Sequence, residues 1–314
     1  MTRHISPDLD QDLRPVETYR YLRLITPLPA VWLLLAIAMV AVVRHQFLDS
    51  ISDYYGGPLR DVFVGTLMAS GVGMIAYKGR SRLEDYALNF AGVNAFFVAL
   101  VSNSFQGLLD AARATEGART AVADGAVAAS SSELLQNLWI SVATFLVLLA
   151  VFVIADSRLM HWTRFRWSQQ TRATNVLIVI SWVGELVLLL VVAFMLVGLE
   201  TIGGRSIFSV IHFMAASLLI VNLSFAAASH AFPAKLRRDR IDAPAASLPV
   251  RRTFIVVTAA MWLGLAVGIP LVLAAVPYSV LVVEVWEILL FIAFWLVATR
   301  TEWVIRDGTA ETRV

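Results

Sequence analysis

Long apolar blocks separated by short polar connections make up almost the whole chain. Each block has about 17–25 residues and few charges, the length that a helix needs to cross about 30 Å of hydrocarbon. The stretch from Phe254 to Thr299 is too long for one crossing, and Pro277 supplies a break within it. The pattern predicts eight spans, near residues 24–43, 62–77, 86–102, 138–155, 175–199, 207–229, 254–276 and 280–299. We therefore expect an all-α fold, a polytopic transmembrane helical bundle of about eight spans, with an N-terminal segment 1–23 and a tail 300–314.

Composition supports one membrane domain. The chain is 59% hydrophobic and 15% charged, whereas soluble domains carry about 25% charged residues. It contains no cysteine, which excludes disulfides, thiolate nucleophiles and Cys-ligated metal centres. No phosphate-binding glycine loop and no G-x-S-x-G motif is present. We expect no cofactor.

Lys and Arg are distributed unevenly between the two sides of the predicted bundle. Of the 25 basic residues, 20 fall on the side of the N-terminal segment, the even-numbered connections and the tail. The positive-inside rule then places both termini in the cytoplasm, here that of a bacterial plasma membrane. The basic residues lie beside the apolar blocks, so we expect the bilayer as partner and no nucleic acid; protein partners are unknown.

The longest connection, residues 103–137, lies on the outer side in this topology. It is rich in Ala, Gly, Ser and Thr, which favours a surface loop with a short helix. Ser130 and Glu133 have the spacing of a capping box that leads into the fourth span.

Few ionisable groups fall within the spans, where they are costly and usually face a partner or a water-filled cavity. Glu185 lies in the middle of the fifth span, and His212 lies near the outer end of the sixth. Glu284 and Glu287, three residues apart, share one face of the eighth span. Two carboxyl groups in a medium of low dielectric do not both ionise readily, so the pair suits a proton or cation site. The alternative is a hydrogen bond that joins two helices.

A polar patch, SISDYYGGPLRDVFVG, lies at the outer end of the second span. Its charged residues are Asp53, Arg60 and Asp61, which either cap and orient that helix or contribute to a site. In the predicted topology they share the outer half of the membrane with His212, Glu284 and Glu287. We hypothesise that these residues converge on one pocket. A metal site is not expected, because His212 is the only histidine within a span and a catalytic zinc needs three protein ligands.

The patch, the segment EDYALNFAGVNAFFVAL, the segment HFMAA and the final EVWEILLFIAFWLV together resemble a bacterial multi-pass family without an assigned activity. A fainter similarity, through the first loop, is to the six-span DUF998 and Frag1/DRAM-like proteins. The resemblance implies a membrane bundle and no reaction.

These observations favour transport or permeation of a small solute, an ion or a lipid. The candidates for binding or proton coupling are Asp53, Arg60, Asp61, Glu185, His212, Glu284 and Glu287. An alternative is a non-enzymatic scaffold or accessory subunit of an envelope complex. A third is a membrane-embedded hydrolase that uses Asp61 and His212.

Overall fold

The computed structural model describes residues 21–56, 59–79, 81–119, 130–159, 170–236 and 248–311, with side chains as far as 301. Its elements are helices with one short antiparallel hairpin. The helices are α1 Leu28–Arg44, α2 Arg60–Ala76, α3 Arg82–Leu100, α4 Phe105–Arg119, α5 Ser131–Leu159, α6 Arg172–Leu196, α7 Ile207–Ala231, α8 Pro233–Leu236, α9 Leu248–Leu273 and α10 Ser279–Glu311. A 3-10 helix covers Ile51–Gly56, and strands β1 Thr201–Ile202 and β2 Arg205–Ser206 form the hairpin.

The predicted multi-pass helical bundle is confirmed. In the described part of the chain, seven helical segments are long and apolar enough to cross a membrane, and they contain α1, α3, α5, α6, α7, α9 and α10. The remaining predicted span is α2, a helix of 17 residues packed between α1 and α3. The protein is therefore a multi-pass membrane protein.

Helices α3 and α7 form the centre of the bundle, and α5 lies at its edge. The most apolar window of α3 is 61% buried, whereas that of α5 is 11% buried. Close packing of α2 on α3 depends on paired glycines: a β-carbon at Gly71 would lie 2.9 Å from the carbonyl oxygen of Gly92. Small residues let helices approach in this way where lipid provides no hydrophobic force between them.

Hydrogen bonds join α10 to the N-terminal part of the chain at both ends of the bundle. At the outer end of the predicted topology, Leu281 at the start of α10 donates a backbone hydrogen bond of 2.9 Å to the carbonyl of Asp49. At the opposite end, Arg23 donates to the carbonyl of Ala298 near the end of α10, at 3.1 Å.

The long connection after α3 contains the predicted short helix, α4. The capping box is confirmed: the Ser130 amide donates to Oε2 of Glu133 at 2.8 Å, and the Glu133 amide donates to Oγ of Ser130 at 3.2 Å. Residues 120–129 of this connection lie outside the described residues.

The break between the last two spans lies near Pro277, as the sequence predicted. Helix α9 continues through Pro270 and ends at Leu273, four residues before Pro277. Ala275 has a positive φ of 52°, and the amides of Ala275 and Val276 donate to the carbonyls of Val272 and Leu271. This is a Schellman motif, which satisfies the last carbonyls of a helix.

Candidate functional site

A cavity of about 590 Å³ lies between α6, α7, α9 and α10. It is named the outer cavity after its place in the predicted topology. Small-molecule pockets commonly fall in the range of about 300–1,000 Å³. The walls are mostly apolar. The polar side chains that line the cavity are Arg205, Ser209, His212, Ser217 and Glu284. All but Ser217 belong to the first two turns of α7 or α10 or to the hairpin before α7, so the cavity has a polar end and an apolar body.

Glu284 joins α10 to the loop after α1. Its carboxylate accepts hydrogen bonds from Oγ of Ser50, at 2.9 and 3.0 Å, and from the amide of Ile51 at 2.7 Å. Ile51 begins the 3-10 helix, whose first amide groups have no partner within the helix, so the carboxylate takes the position of an N-terminal cap. This arrangement holds Glu284 at the polar end of the cavity.

Asp53, in the same 3-10 helix, lies close enough to act electrostatically on Glu284. Burial raises the pKa of the Asp53 carboxyl above its ordinary value, although a backbone hydrogen bond at Ser50 partly opposes the shift. The neighbouring negative charge of Asp49 adds to the increase in pKa. Negative groups thus gather at this end of the bundle.

His212 is 2% exposed and lines the outer cavity from the second turn of α7. Its Nδ1 lies 2.8 Å from the carbonyl oxygen of Val101, where α3 ends. A carbonyl only accepts, so Nδ1 carries the proton. In the neutral ring, Nε2 is then an acceptor.

Glu287 lies one turn deeper on α10 and is 7% exposed. Neither carboxyl oxygen has a hydrogen-bond partner among the residues that the structure describes. The carboxyl packs against Gly264 of α9, where a β-carbon would overlap Oε1. Gly264 lines the outer cavity, whereas Glu287 lines a smaller cavity of about 80 Å³ on its other side.

Glu185 lies in a different part of the bundle. It is 4% exposed, accepts a hydrogen bond from the side-chain amide of Asn94 on α3, and lines a cavity of about 430 Å³ between α3, α5 and α6. Asn94 also donates to the carbonyl of Phe90 at 2.8 Å. Glu185 is therefore paired between helices and separate from the outer cavity.

Arg60 and Asp61 are exposed at the start of α2, and neither lines the outer cavity. The Arg60 guanidinium lies over the ring of Tyr55, 5.0 Å from its centroid. Asp61 precedes the buried Phe63 by two residues, or about 200° around a helix, so it faces away from the core. The hypothesis of convergence needs correcting here: His212 and Glu284 share the cavity, with Asp53 and Glu287 adjacent, but Arg60 and Asp61 are outside it. Asp61 and His212 therefore do not line a common cavity, as a hydrolytic site made of these two residues would require.

A buried ionic cluster at the opposite end of the bundle was missed in the sequence. Nε2 of His230 lies 2.8 Å from Oε1 of Glu84, and the Tyr77 hydroxyl donates to the same oxygen at 3.3 Å. Arg23 donates to the Tyr77 hydroxyl, and its guanidinium lies 4.7 Å from the centroid of that ring. Arg23 is 1% exposed and Glu84 is fully buried. Charged residues beside span ends ordinarily lie in water, so hydropathy does not show that these are buried. The only feature of the sequence that pointed to the cluster was His230, a histidine at the end of a span.

No protein-family model matches the sequence, and no curated protein or solved structure matches it significantly. The resemblance to an uncharacterised multi-pass family stays a prediction. Within the described ranges, no group of three or more His, Cys, Asp or Glu side chains is placed to hold a metal ion. The molecule is thus defined by its class, a multi-pass helical membrane protein, and by a cavity of about 590 Å³ with a polar end.

Proposed function

We propose that the protein binds a small amphiphilic solute, such as a single-chain lipid, in the outer cavity and moves it across or within the membrane. The observation that carries this proposal is the cavity itself: a space of about 590 Å³ at membrane depth, apolar along its body and polar at one end. Ligand sites are typically apolar spaces in which a few polar groups fix orientation.

The polar end offers three kinds of interaction to a head group. Arg205 is an exposed cation, Glu284 is a hydrogen-bonded carboxyl group, and His212 presents a ring nitrogen. Lipid tails are as apolar as leucine, so an apolar wall gives no preference for a tail inside the cavity over one in the bilayer. Selection of a ligand therefore rests with Arg205, His212 and Glu284.

The chemistry of the walls favours an amphiphile over a bare ion. A cation released from water needs several oxygen ligands. The outer cavity supplies one carboxyl group, which already accepts hydrogen bonds from Ser50 and Ile51. We place this activity in a bacterial plasma membrane with both termini in the cytoplasm, on the basis of the excess of Lys and Arg in alternate connections.

The proposal is tested with the full-length protein in liposomes that carry a trace of NBD-labelled lysophosphatidylethanolamine. Dithionite added outside bleaches only the outer leaflet, so bleaching beyond that leaflet measures movement of the lysolipid. We expect wild-type protein to speed this movement and Ala216→Trp to abolish the increase, because Ala216 lines the outer cavity and the indole fills it.

The matched control is Ala150→Trp, which fills the cavity beside Glu185 instead. It is expected to move the lysolipid at the wild-type rate. The proposal is contradicted if the lysolipid moves no faster in liposomes with wild-type protein than in protein-free liposomes. It is also contradicted if Ala216→Trp and Ala150→Trp slow the movement of the lysolipid equally.

A scaffold role is the second candidate, favoured by two polar contacts between distant segments. Glu185 is paired with Asn94 across α6 and α3, and Glu284 with Ser50 across α10 and the first loop. Interhelical hydrogen bonds of this kind hold membrane bundles together without any ligand. The peripheral α5, only 11% buried in its most apolar window, would then face lipid or a partner subunit.

A further inference from the structure

We propose that Glu287 is held as a neutral carboxylic acid and exchanges its proton with the outer cavity, as the proton-carrying group of this membrane protein. The side chain is 93% buried at membrane depth, and neither oxygen has a hydrogen-bond partner in the described part of the chain. A buried carboxylate without a partner costs several kcal/mol or more, which protonation removes.

Among the residues that the structure describes, none around Glu287 supplies a compensating charge. Apart from Glu287, the residues that line the smaller cavity are uncharged, among them Ala30, Thr66, Ser70, Ala95 and Leu223, and the residue against Oε1 is Gly264. Glu284, three residues earlier on the same helix, is also acidic and supplies no compensating charge. Every local influence thus favours the protonated form of Glu287.

The other buried carboxyl groups of the spans lack this combination. Glu185 accepts a hydrogen bond from Asn94, and Glu284 accepts from Ser50 and Ile51. Either contact suits a carboxyl group that joins two helices. The helix-joining explanation needs a partner for Glu287 as well, and the described residues provide none.

The position of Glu287 gives its proton a route. On one side the carboxyl touches Gly264, a wall residue of the outer cavity, and the missing β-carbon at that position leaves room for Oε1. It also lines the smaller cavity of about 80 Å³, whose walls are almost wholly apolar. Glu287 therefore lies in the wall of the smaller cavity and contacts Gly264, a wall residue of the outer cavity.

The inference rests on the proposed function in one respect, because the outer cavity is taken as the path by which the proton reaches Glu287. Its test does not require transport. Dicyclohexylcarbodiimide, an apolar reagent that enters membranes, reacts with protonated carboxyl groups. The acid adds across a C=N bond, its proton moves to nitrogen, and acyl migration gives a stable N-acylurea with no leaving group.

The experiment treats full-length protein in liposomes with this carbodiimide and maps the adduct by peptide mass spectrometry. We expect the adduct on Glu287 at neutral pH, its loss in Glu287→Gln, and its retention in the matched control Glu185→Gln. Raising the pH of the medium is expected to reduce the yield by about tenfold per pH unit once the proton is removed. Infrared spectra of wild type and Glu287→Gln are expected to differ by one carbonyl band of a protonated carboxylic acid.

Three results would overturn the inference. The first is an adduct on Glu185 or Glu284 without one on Glu287. The second is a pair of infrared spectra that lack the expected difference. The third is an adduct on Glu287 whose yield is the same at every pH, which means that the proton does not exchange. If labelling follows the expectation while the lysolipid does not move, the proton site is supported and transport of the amphiphile is contradicted. If the lysolipid moves while Glu287 is not labelled, transport is supported and the proton site is contradicted.

Discussion

At the scale of single residues, the buried cluster of Arg23, Tyr77, Glu84 and His230 gives the clearest energetic expectation. The Glu84 side chain is fully buried and that of His230 is 7% exposed, so water cannot replace either group if its partner is removed. Breaking a buried pair by removing one member typically costs about 3–5 kcal/mol, whereas exposed pairs contribute about 1 kcal/mol or less. The same chain offers an exposed pair for comparison, Arg113 and Glu200 at 3.3 Å.

We therefore expect Glu84→Gln to lower the free energy of unfolding by about 3 kcal/mol. Glu200→Gln, the matched control, is expected to lower it by less than about 1 kcal/mol. Both are measured by reversible unfolding of the purified protein in detergent. Equal effects of the two variants would show that burial of the cluster has no energetic consequence.

At the scale of elements, the ends of α6 and α9 form a natural comparison. Both close with a Schellman motif. Gly198 occupies the left-handed position after α6 with φ 91°, and Ala275 occupies it after α9 with φ 52°. Residues with a β-carbon are strained in this region by roughly 1–2 kcal/mol, and glycine is not. The Ala275 side chain is exposed, so its removal loses little packing.

Ala275→Gly is accordingly expected to raise the free energy of unfolding by about 1 kcal/mol, and Gly198→Ala to lower it by about the same amount. A β-carbon at Gly198 would meet nothing within 4 Å, so the backbone alone accounts for the loss. Thermal unfolding of both variants beside wild type provides the measurement. Changes of the same sign in the two variants would refute the role given to the left-handed residue.

The elements were also the part of the molecule that the sequence predicted best. Span positions follow from local hydropathy, which depends only on neighbouring residues, and each of the eight predicted spans has its helix. The capping box of Ser130 and Glu133 was equally local. Local patterns do not predict contacts between distant segments. Ser50 and Glu284, for example, are 234 residues apart, and no sequence pattern pairs them.

The candidate site was accordingly predicted only in part. His212, Glu284 and Glu287 were recognisable because charge is rare within a span. Which of them meet depends on helix packing, and this is why Asp61, on the outward face of α2, was grouped with them incorrectly. The Arg23 and Glu84 cluster was missed because charged residues at span ends look the same whether they face water or the protein interior.

At the scale of the whole molecule, the bundle combines a central pair of helices, a sealed ionic cluster at one end and an accessible cavity at the other. Helix α7 connects these parts, since His212 lines the cavity near its start and His230 joins the cluster near its end. We therefore infer that the outer cavity admits water and ligand to the level of the buried carboxyl groups.

The most direct test of that claim uses the absence of cysteine, which makes every single-cysteine variant free of background. Ser217 on α7 lines the outer cavity, while Ser224, two turns further on the same face, is fully buried. Maleimides react with the thiolate, which forms only where water reaches the thiol. We predict that N-ethylmaleimide labels Ser217→Cys at least about tenfold faster than Ser224→Cys, and that lysophosphatidylethanolamine protects the first. Equally slow labelling of both would mean that the cavity is closed to water, and would contradict the account in favour of a scaffold.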